Sequence, residues 1–419
     1  IVLRLLGKTQ KPLLIFVKQN QLWFQKPDLG ATQMVNPVSI EPNLDPKTLK
    51  TMMSRLKSTK WPDVIGEDSW EYGVPRGWME DMVNYWISDW DWTSVFSEMN
   101  QWDHYLVNVE GIPIHYLHAP GKGPNPKPLV LTHGWPWTFW DFKDAIGPLS
   151  DPEKYGGNPE DSFDVYVPSL PGFIFSQPLP EAGIDVKRVA GLWKTLMTEI
   201  LGYERFCAHG GDWGALVTAH LSHEYPESLI GAHMSLSVIP GVNRRTLPDD
   251  AWGEDEDWKI ARSKAAENTI RSHLTTHLLD PQTLAYGLTD SPVATASWIW
   301  ERRRNWSDNS GDVEESFTRE HLCTIASLYW CTGSIGSSLR IYHEHFKKPW
   351  PLAHDRMPRL EAPSAVAVFP KDVVHLPKST LETYCDLRQY TVMPEGGHFA
   401  AAEKPQLAVS DIQKFFRDL

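Results

Sequence analysis

The spacing of apolar residues changes from helical to strand-like near residue 104. Residues 49–56 and 79–90 carry apolar side chains at helical spacing, which predicts two helices. From Tyr105, apolar residues alternate with more polar ones, Gly111 interrupts the alternation, and residues 112–117 resume it. An interruption of this kind between two alternating segments predicts a β-hairpin.

Short apolar strands and longer helices then follow one another in regular succession. Strands that alternate with helices of this length predict a mainly parallel sheet in which the helices form the crossover connections. The predicted strands are residues 129–131, 164–168, 205–208 and 229–236, and the predicted helices are residues 186–201 and 215–224.

The strand pattern stops between residues 240 and 360, where the chain is charged and helix-like, and it resumes at residues 365–369 and 390–393. A helical insertion at this position is expected to form a lid over the carboxyl ends of the strands, where open α/β sheets bind ligands. The predicted lid helices span residues 257–277, 281–306 and 320–346, and a last helix spans residues 405–416.

The predicted fold is therefore α/β, with a mostly parallel sheet, helices on both faces and a helical lid inserted late in the sheet. Residues 1–34 hold only short apolar runs, whereas a membrane-spanning helix needs about 20 apolar residues. Two interpretations of residues 1–34 remain open: an anchor at the membrane interface, and a poorly ordered extension. The expected segments are an extension (1–34), a meander (35–103), the first part of the core (104–240), the lid (241–360) and the second part of the core (361–419).

Composition narrows the function classes. Apolar residues make up 41% of the 419 residues, which is enough for a large core. The net charge of −13 argues against nucleic acid as a partner, because phosphate binding needs a basic surface. The basic run 302–304 is interpreted as a solvated helix face.

Four cysteines without a CxxC pair indicate a reducing compartment, hence a cytoplasmic location, with peripheral membrane attachment as the less favoured alternative.

The stretch of highest chemical interest joins the strand that ends near residue 208 to the next helix. Gly210 and Gly214 flank Asp212 in the small-x-nucleophile-x-small arrangement of a nucleophile elbow. A carboxylate nucleophile forms an ester with an alkyl carbon, so the substrate's leaving group is expected on a saturated carbon. This points away from esterases and proteases. Taken alone, the motif equally fits an Asp that caps a helix.

Three further features favour catalysis. The backbone N–H groups of Trp135, after a buried strand, and Trp213 are placed to form an oxyanion hole. His398 follows the final strand, and Asp372 lies 398 − 372 = 26 residues earlier, after the preceding strand. The order nucleophile, acid, histidine is that of α/β-hydrolase triads.

These residues resemble the epoxide hydrolases of the α/β-hydrolase fold, in the microsomal-type branch with the juvenile hormone and fungal enzymes. The similarity covers most of the chain. Its motifs are the Trp- and Pro-rich residues 61–102, His-Gly-Trp-Pro at 133–136, Gly-Gly-Asp-Trp-Gly at 210–214, the lid motifs at 281–286, 290–293 and 329–333, and Gly-Gly-His-Phe at 396–399.

The resemblance implies that Asp212 opens an apolar epoxide to a covalent ester, and that His398, held by Asp372, activates the water that releases a vicinal diol. Epoxide and water would be the only small-molecule partners, without a metal or organic cofactor, and a homodimer is left open. Lid tyrosines would bind the departing oxygen, and one of them matches Tyr342. The residues implied in substrate binding are Trp135, Pro136, Trp213, Tyr342 and Phe399.

One position departs from the family pattern. The second lid tyrosine is expected eight residues before Pro281, where 281 − 8 = 273 is His273. A histidine can also donate a hydrogen bond, more strongly when protonated. Tyr286 could substitute, although a packing role is favoured for it. Two alternatives therefore remain: a repurposed enzyme with an Asp nucleophile, such as a dehalogenase, and a binder of hydrophobic ligands without catalysis.

Overall fold

The computed structural model describes residues 36–64 and 66–419, so the predicted extension 1–34 lies outside the described residues. Nine strands of the described part form a single sheet. Their bounds are β1 (Val38–Ile40), β2 (Asp103–Val109), β3 (Ile112–Ala119), β4 (Lys127–Thr132), β5 (Phe163–Pro168), β6 (Phe206–Gly210), β7 (Leu229–Met234), β8 (Leu360–Val368) and β9 (Cys385–Val392).

The strands are ordered β1-β2-β3-β5-β4-β6-β7-β8-β9 across the sheet. The first four strands of this order pair antiparallel, and the six from β5 to β9 pair parallel. The hairpin predicted around Gly111 is β2–β3. The order turns back at β4, because β5 lies on one side of β4 and β6 on the other. Such a switch point opens a crevice at the carboxyl ends of the strands.

Of the α-helices outside the segment between β7 and β8, three precede β2 in the chain, and the others lie between later strands or after β9. They are α1 (Pro46–Lys57), α2 (Arg76–Ser88), α3 (Trp92–Met99), α4 (Lys143–Ser150), α5 (Val186–Lys194, continued by a π-helical turn Thr195–Ile200), α6 (Trp213–Glu224), α13 (Lys378–Tyr384), α14 (Ala400–Glu403) and α15 (Pro405–Arg417). The sequence prediction missed β1, α3, α4 and α13, which are short.

Strand β8 shows why helices cover both faces of the sheet. Successive side chains of a strand point to opposite faces. Val366 packs in a cluster with Ala219 of α6, whereas the next residue, Ala367, packs in a different cluster with Ala408 of α15. The α/β architecture with helices on both faces, as predicted, is therefore present.

The segment between β7 and β8 is helical, but two of its predicted helices are divided. The predicted helix 281–306 is interrupted at Ser291, whose hydroxyl accepts the Ala294 N–H at 3.1 Å and begins a new helix. Gly333, with a φ of +71°, ends another helix inside the predicted span 320–346. The helices are α7 (Asp257–Leu279), α8 (Pro281–Asp290), α9 (Pro292–Trp306), α10 (Arg319–Thr332), α11 (Ile335–Ser338) and α12 (Arg340–Lys347).

The interpretation of the basic run 302–304 as a solvated face is wrong. Arg302 and Arg303 are buried. The Arg303 guanidinium donates to Asp141 Oδ1 at 2.5 Å and Oδ2 at 3.0 Å, and Arg302 pairs with Glu301 at 2.6 Å. A buried cation needs such partners because it has lost its hydration shell. The partner of Arg303 is 162 residues away in the chain, so the local sequence did not reveal it.

Candidate active site

Asp212 lies in the tight turn between β6 and α6. Its φ is +50° and its ψ is −124°, a conformation that costs a non-glycine residue of order 1–3 kcal/mol. A Cβ added at Gly210 would lie 2.2 Å from the Gly214 carbonyl carbon, and one added at Gly214 would lie 1.9 Å from the Thr132 carbonyl oxygen. Both glycines are therefore required by close backbone packing, as the elbow motif predicted.

The structure brings Asp212, His398 and Asp372 together. His398 Nδ1 lies 2.6 Å from Asp372 Oδ1 and forms a hydrogen bond with it. His398 Nε2 lies 3.2 Å from Asp212 Oδ2, in an alignment that does not form a hydrogen bond. The side chains of His398 and Asp372 are 1% and 4% exposed, whereas that of Asp212 is 18% exposed. Asp212 is thus the most accessible member of a carboxylate–imidazole–carboxylate arrangement.

The two carboxylates determine the charge of His398. Burial alone lowers the pKa of His398, but Asp372 and then Asp212 outweigh burial and raise this pKa to about 10. The imidazole is consequently protonated at neutral pH while both carboxylates are charged. Removing the charge of either carboxylate would lower the pKa of His398 and favour the neutral base.

A backbone N–H group donates a hydrogen bond to the Asp212 carboxylate. The Trp135 N–H donates to Asp212 Oδ1 at 2.7 Å. The Trp213 N–H is in the first residue of α6, where an N–H has no partner within the helix. Arg303 also donates to the Pro136 carbonyl at 2.8 Å and so holds the loop that carries Trp135. The two N–H groups expected to form an oxyanion hole thus flank the elbow.

Tyr342 lies on the lid side of the site, on α12. Its ring packs edge-on against Trp213, with centroids 4.7 Å apart, and against Trp135, with centroids 5.9 Å apart. The phenol is buried, and this burial, followed by the charge of Asp212, raises the pKa of Tyr342 well above its usual value. Tyr342 therefore keeps its proton and can donate a hydrogen bond near Asp212, whose charge acts on the phenol.

His273 belongs to the same aromatic cluster. Its ring stacks on Trp135 with centroids 5.6 Å apart and lies 5.4 Å from the Tyr342 ring. Burial, followed by the neighbouring His277, lowers the pKa of His273 well below its usual value. The imidazole is thus neutral, so a hydrogen bond that it donates is that of a neutral histidine and not the stronger one of a protonated histidine. Tyr286 is 74% exposed, so the packing role expected for it is wrong.

The sequence reasoning missed His277, one helical turn after His273. Its ring lies 4.7 Å from that of Tyr342 and 4.5 Å from that of Trp135. The Trp298 indole donates to His277 Nε2 at 3.0 Å, and burial lowers the pKa of His277 well below its usual value. Because an indole N–H can only donate, the neutral His277 carries its proton on Nδ1. The i, i+4 spacing from His273 was the available signal.

The remaining predicted residues lie behind the reactive groups. Phe399 is fully buried, with its ring centroid 5.3 Å from that of His398, and the Arg303 guanidinium lies 4.2 Å above it. Pro136 is also buried. Trp306, which the sequence reasoning missed, packs edge-on against His398 at 5.4 Å and contacts His273 at 4.7 Å. These rings exclude water from the back of the imidazole.

Comparisons with known proteins place this arrangement in a family. The family described as "Epoxide hydrolase N terminus" matches residues 36–142, and the one described as "alpha/beta hydrolase fold" matches residues 127–405. A Stigmatella aurantiaca (strain DW4/3-1) protein, provisionally named an epoxide hydrolase, is 36% identical over 372 residues, which cover 88% of this chain and 82% of that protein. The chain belongs to the epoxide hydrolases of the α/β-hydrolase fold.

Other epoxide hydrolases agree with this assignment. Epoxide hydrolase 1 of Oryctolagus cuniculus is 30% identical over 410 residues, which cover 91% of this chain and 89% of the relative. The crystal structure of juvenile hormone epoxide hydrolase from the silkworm Bombyx mori superposes with a TM-score of 0.82 at 24% identity, covering 94% of this chain and 98% of that one. The structural match shows the common fold, and the predicted family and fold are both confirmed.

Two further findings concern this epoxide hydrolase as a whole. Across the described residues, no group of three or more His, Cys, Asp or Glu side chains is arranged to hold a metal ion. In the same part of the chain, every helix is too short or too polar to span a bilayer.

Proposed function

We propose that this chain hydrolyses an apolar epoxide to a vicinal diol through a covalent ester on Asp212. The observation that carries the proposal is the arrangement of Asp212 between the Trp135 N–H on one oxygen and the His398 imidazole on the other, with the Tyr342 ring edge-on to the neighbouring Trp213. Each group matches one requirement of ring opening followed by ester hydrolysis.

The first step is attack on a saturated carbon. Asp212 Oδ1 is held by the Trp135 N–H, so Oδ2 is the oxygen that forms the new bond to an epoxide carbon while that carbon's bond to the ring oxygen breaks. An alkoxide is a poor leaving group, and Tyr342 donates its proton to the departing oxygen. Formation of the ester removes the negative charge of Asp212.

Loss of this charge prepares the second step. The pKa of His398 is raised by both carboxylates, so it falls when Asp212 becomes a neutral ester. The imidazolium then gives up its proton, which restores the Tyr342 phenol. The neutral His398 can now accept a proton from water. The enzyme in this scheme generates its general base only after the ester has formed.

The ester is hydrolysed at its carbonyl carbon. Water adds to Cγ of Asp212 while His398 takes its proton, and the negative charge develops on Oδ1 beside the N–H groups of Trp135 and Trp213. The Cγ–Oδ2 bond then breaks, the diol oxygen takes the proton of the new carboxylic acid, and Asp212 returns to its charged form. The oxygen atom of the water molecule stays on Asp212, and the former Oδ2 leaves in the diol.

A single turnover in ¹⁸O water tests this scheme. With enzyme in excess over a styrene-oxide-type epoxide, we expect ¹⁸O in the peptide that contains Asp212 and an unlabelled diol. Label that appears directly in the diol, with none in the peptide, would contradict the covalent route. Release of halide from a simple haloalkane without diol formation would instead favour a dehalogenase, although Trp135 Nε1 is already directed to Ser338 Oγ at 3.2 Å.

A further inference from the structure

Glu403 contacts the loop that carries His398 on both sides of the histidine. Its Oε2 accepts the Gly397 N–H at 3.1 Å, and its Oε1 accepts the Phe399 N–H at 2.8 Å. The same Oε2 accepts the Asp308 N–H, just beyond the end of α9, at 2.6 Å. One carboxylate thus joins the backbone on either side of His398 to the helical segment inserted between β7 and β8.

The other N–H groups of this loop are bound to the same inserted segment. The Gly396 N–H donates to Asp308 Oδ2 at 2.8 Å, and the His398 N–H donates to the Trp306 carbonyl at 2.8 Å. A Cβ added at Gly397 would lie 2.7 Å from that carbonyl oxygen. The backbone of residues 396–399 is consequently held at four consecutive N–H groups, and two of the four depend on Glu403.

The loop of Asp372 is tied into the same arrangement. The Lys371 N–H donates to the Gly396 carbonyl at 3.0 Å, and Arg262 of α7 donates through Nε to the carbonyls of Lys371 at 3.0 Å and Asp372 at 3.1 Å. Both partners of the Asp372–His398 hydrogen bond are therefore positioned from the inserted helices as well as from the sheet.

We propose that Glu403 is a positioning residue for the general base: it holds the His398 imidazole within reach of the Asp212 ester and of Asp372. The inference rests on the proposed function, because only a covalent mechanism separates a step that needs the base from one that does not. Misplacement of a catalytic group by about 1 Å costs about 10²-fold in rate. Loss of Glu403 should therefore slow ester hydrolysis and leave ester formation by Asp212 and Tyr342 nearly unchanged.

The variant E403Q keeps the size of the side chain but replaces one of the two accepting carboxylate oxygens with an NH2 group, which donates and cannot accept a hydrogen bond. The matched control is E395Q, in the same loop, because the Glu395 side chain is 54% exposed and pairs with Lys404 at 2.5 Å, away from the N–H groups that Glu403 binds. Rapid-quench single turnovers with mass spectrometry give the two rates. We expect ester hydrolysis to fall about 10- to 100-fold in E403Q, ester formation to change less than about three-fold, and E395Q to match the parent.

A second measurement does not depend on turnover. The short His398 Nδ1–Asp372 hydrogen bond should give a strongly deshielded proton resonance, and we expect E403Q to shift or lose it while E395Q retains it. Should E403Q not fold, Glu403→Asp, which keeps the carboxyl group but is one methylene shorter, is expected to show the same difference between the two steps. Unchanged rates and resonance, or an equal fall in both steps with the resonance intact, would overturn the proposal. A parent enzyme that forms no ester would contradict the proposed function, and the resonance would still test Glu403.

Discussion

Replacing His398 with Gln should convert the enzyme into one that stops at the ester. Glutamine fills a similar volume and can keep a hydrogen bond to Asp372, but it cannot accept a proton from water. His398 Nε2 lies 3.2 Å from Asp212 Oδ2, which places the base within reach of a water at the ester carbonyl. The residues proposed for ring opening, Asp212 and Tyr342, are untouched by the substitution.

The size of the effect follows from the role of the imidazole. General-base catalysis contributes about 10²- to 10⁴-fold, which corresponds to about 3–5 kcal/mol of barrier. The side chain of His398 is 1% exposed, so bulk water does not readily take over the proton that the imidazole accepts. Ester hydrolysis should therefore fall by at least about 100-fold, and the alkylated enzyme should accumulate.

Mass spectrometry of the intact protein after mixing with epoxide measures this accumulation. We expect a stoichiometric mass increase by one substrate in His398→Gln and its location on the peptide with Asp212. His375→Gln is the matched control, because His375 is also buried but packs on Trp258 at 5.2 Å. An H398Q enzyme that still turns over at the parent rate, or that forms no adduct while remaining folded, would refute the assigned base.

Three further outcomes are expected. Tyr342→Phe should slow ester formation about 10²- to 10⁴-fold and leave hydrolysis of a preformed ester unchanged in rapid-quench experiments. Gly214→Ala places a methyl group 1.9 Å from the Thr132 carbonyl oxygen, and urea unfolding should show a loss of about 1–3 kcal/mol or more; parent-like stability would contradict the packing argument. The pKa of His398 is raised from 6.5 to about 10, so its ion pairs stabilise the fold fully below pH 6.5, and this contribution is lost as the pH rises through 10. The unfolding free energy should therefore decline with pH more steeply in the parent than in Asp372→Asn, and parallel curves would count against the pairing.

The residues of the site that sequence reasoning found share one property. Asp212, Asp372 and His398 each follow a strand, and the carboxyl ends of neighbouring parallel strands meet at one edge of a sheet. Their order along the chain therefore carried information about their position in space. His277, Trp306 and Glu403 do not follow a core strand, and no comparable rule brings them to the site.

The electrostatic environment of a side chain was the property that the sequence revealed least. His273 was expected to donate a hydrogen bond, and the sequence left its protonation open; burial among rings that include those of Trp135 and Tyr342 keeps it neutral. Arg303 was expected at the surface, but it is buried against Asp141. In both cases the environment of the side chain depends on neighbours that are distant in the chain, which a local pattern of residue types does not reveal.

By itself the sequence determined the succession of the strands β2 to β9, the order of the candidate residues and the elbow at Asp212. Each of these depends on short-range causes: the period of apolar residues, and the backbone crowding that only glycine tolerates at 210 and 214. The tertiary structure alone decided which groups are within 3.2 Å of one another, which are desolvated, and how the inserted helices hold His398. Distances and burial arise from packing between segments that are separated in the chain, such as Trp135 and Asp212, 77 residues apart, and the free energy of a charge depends on both.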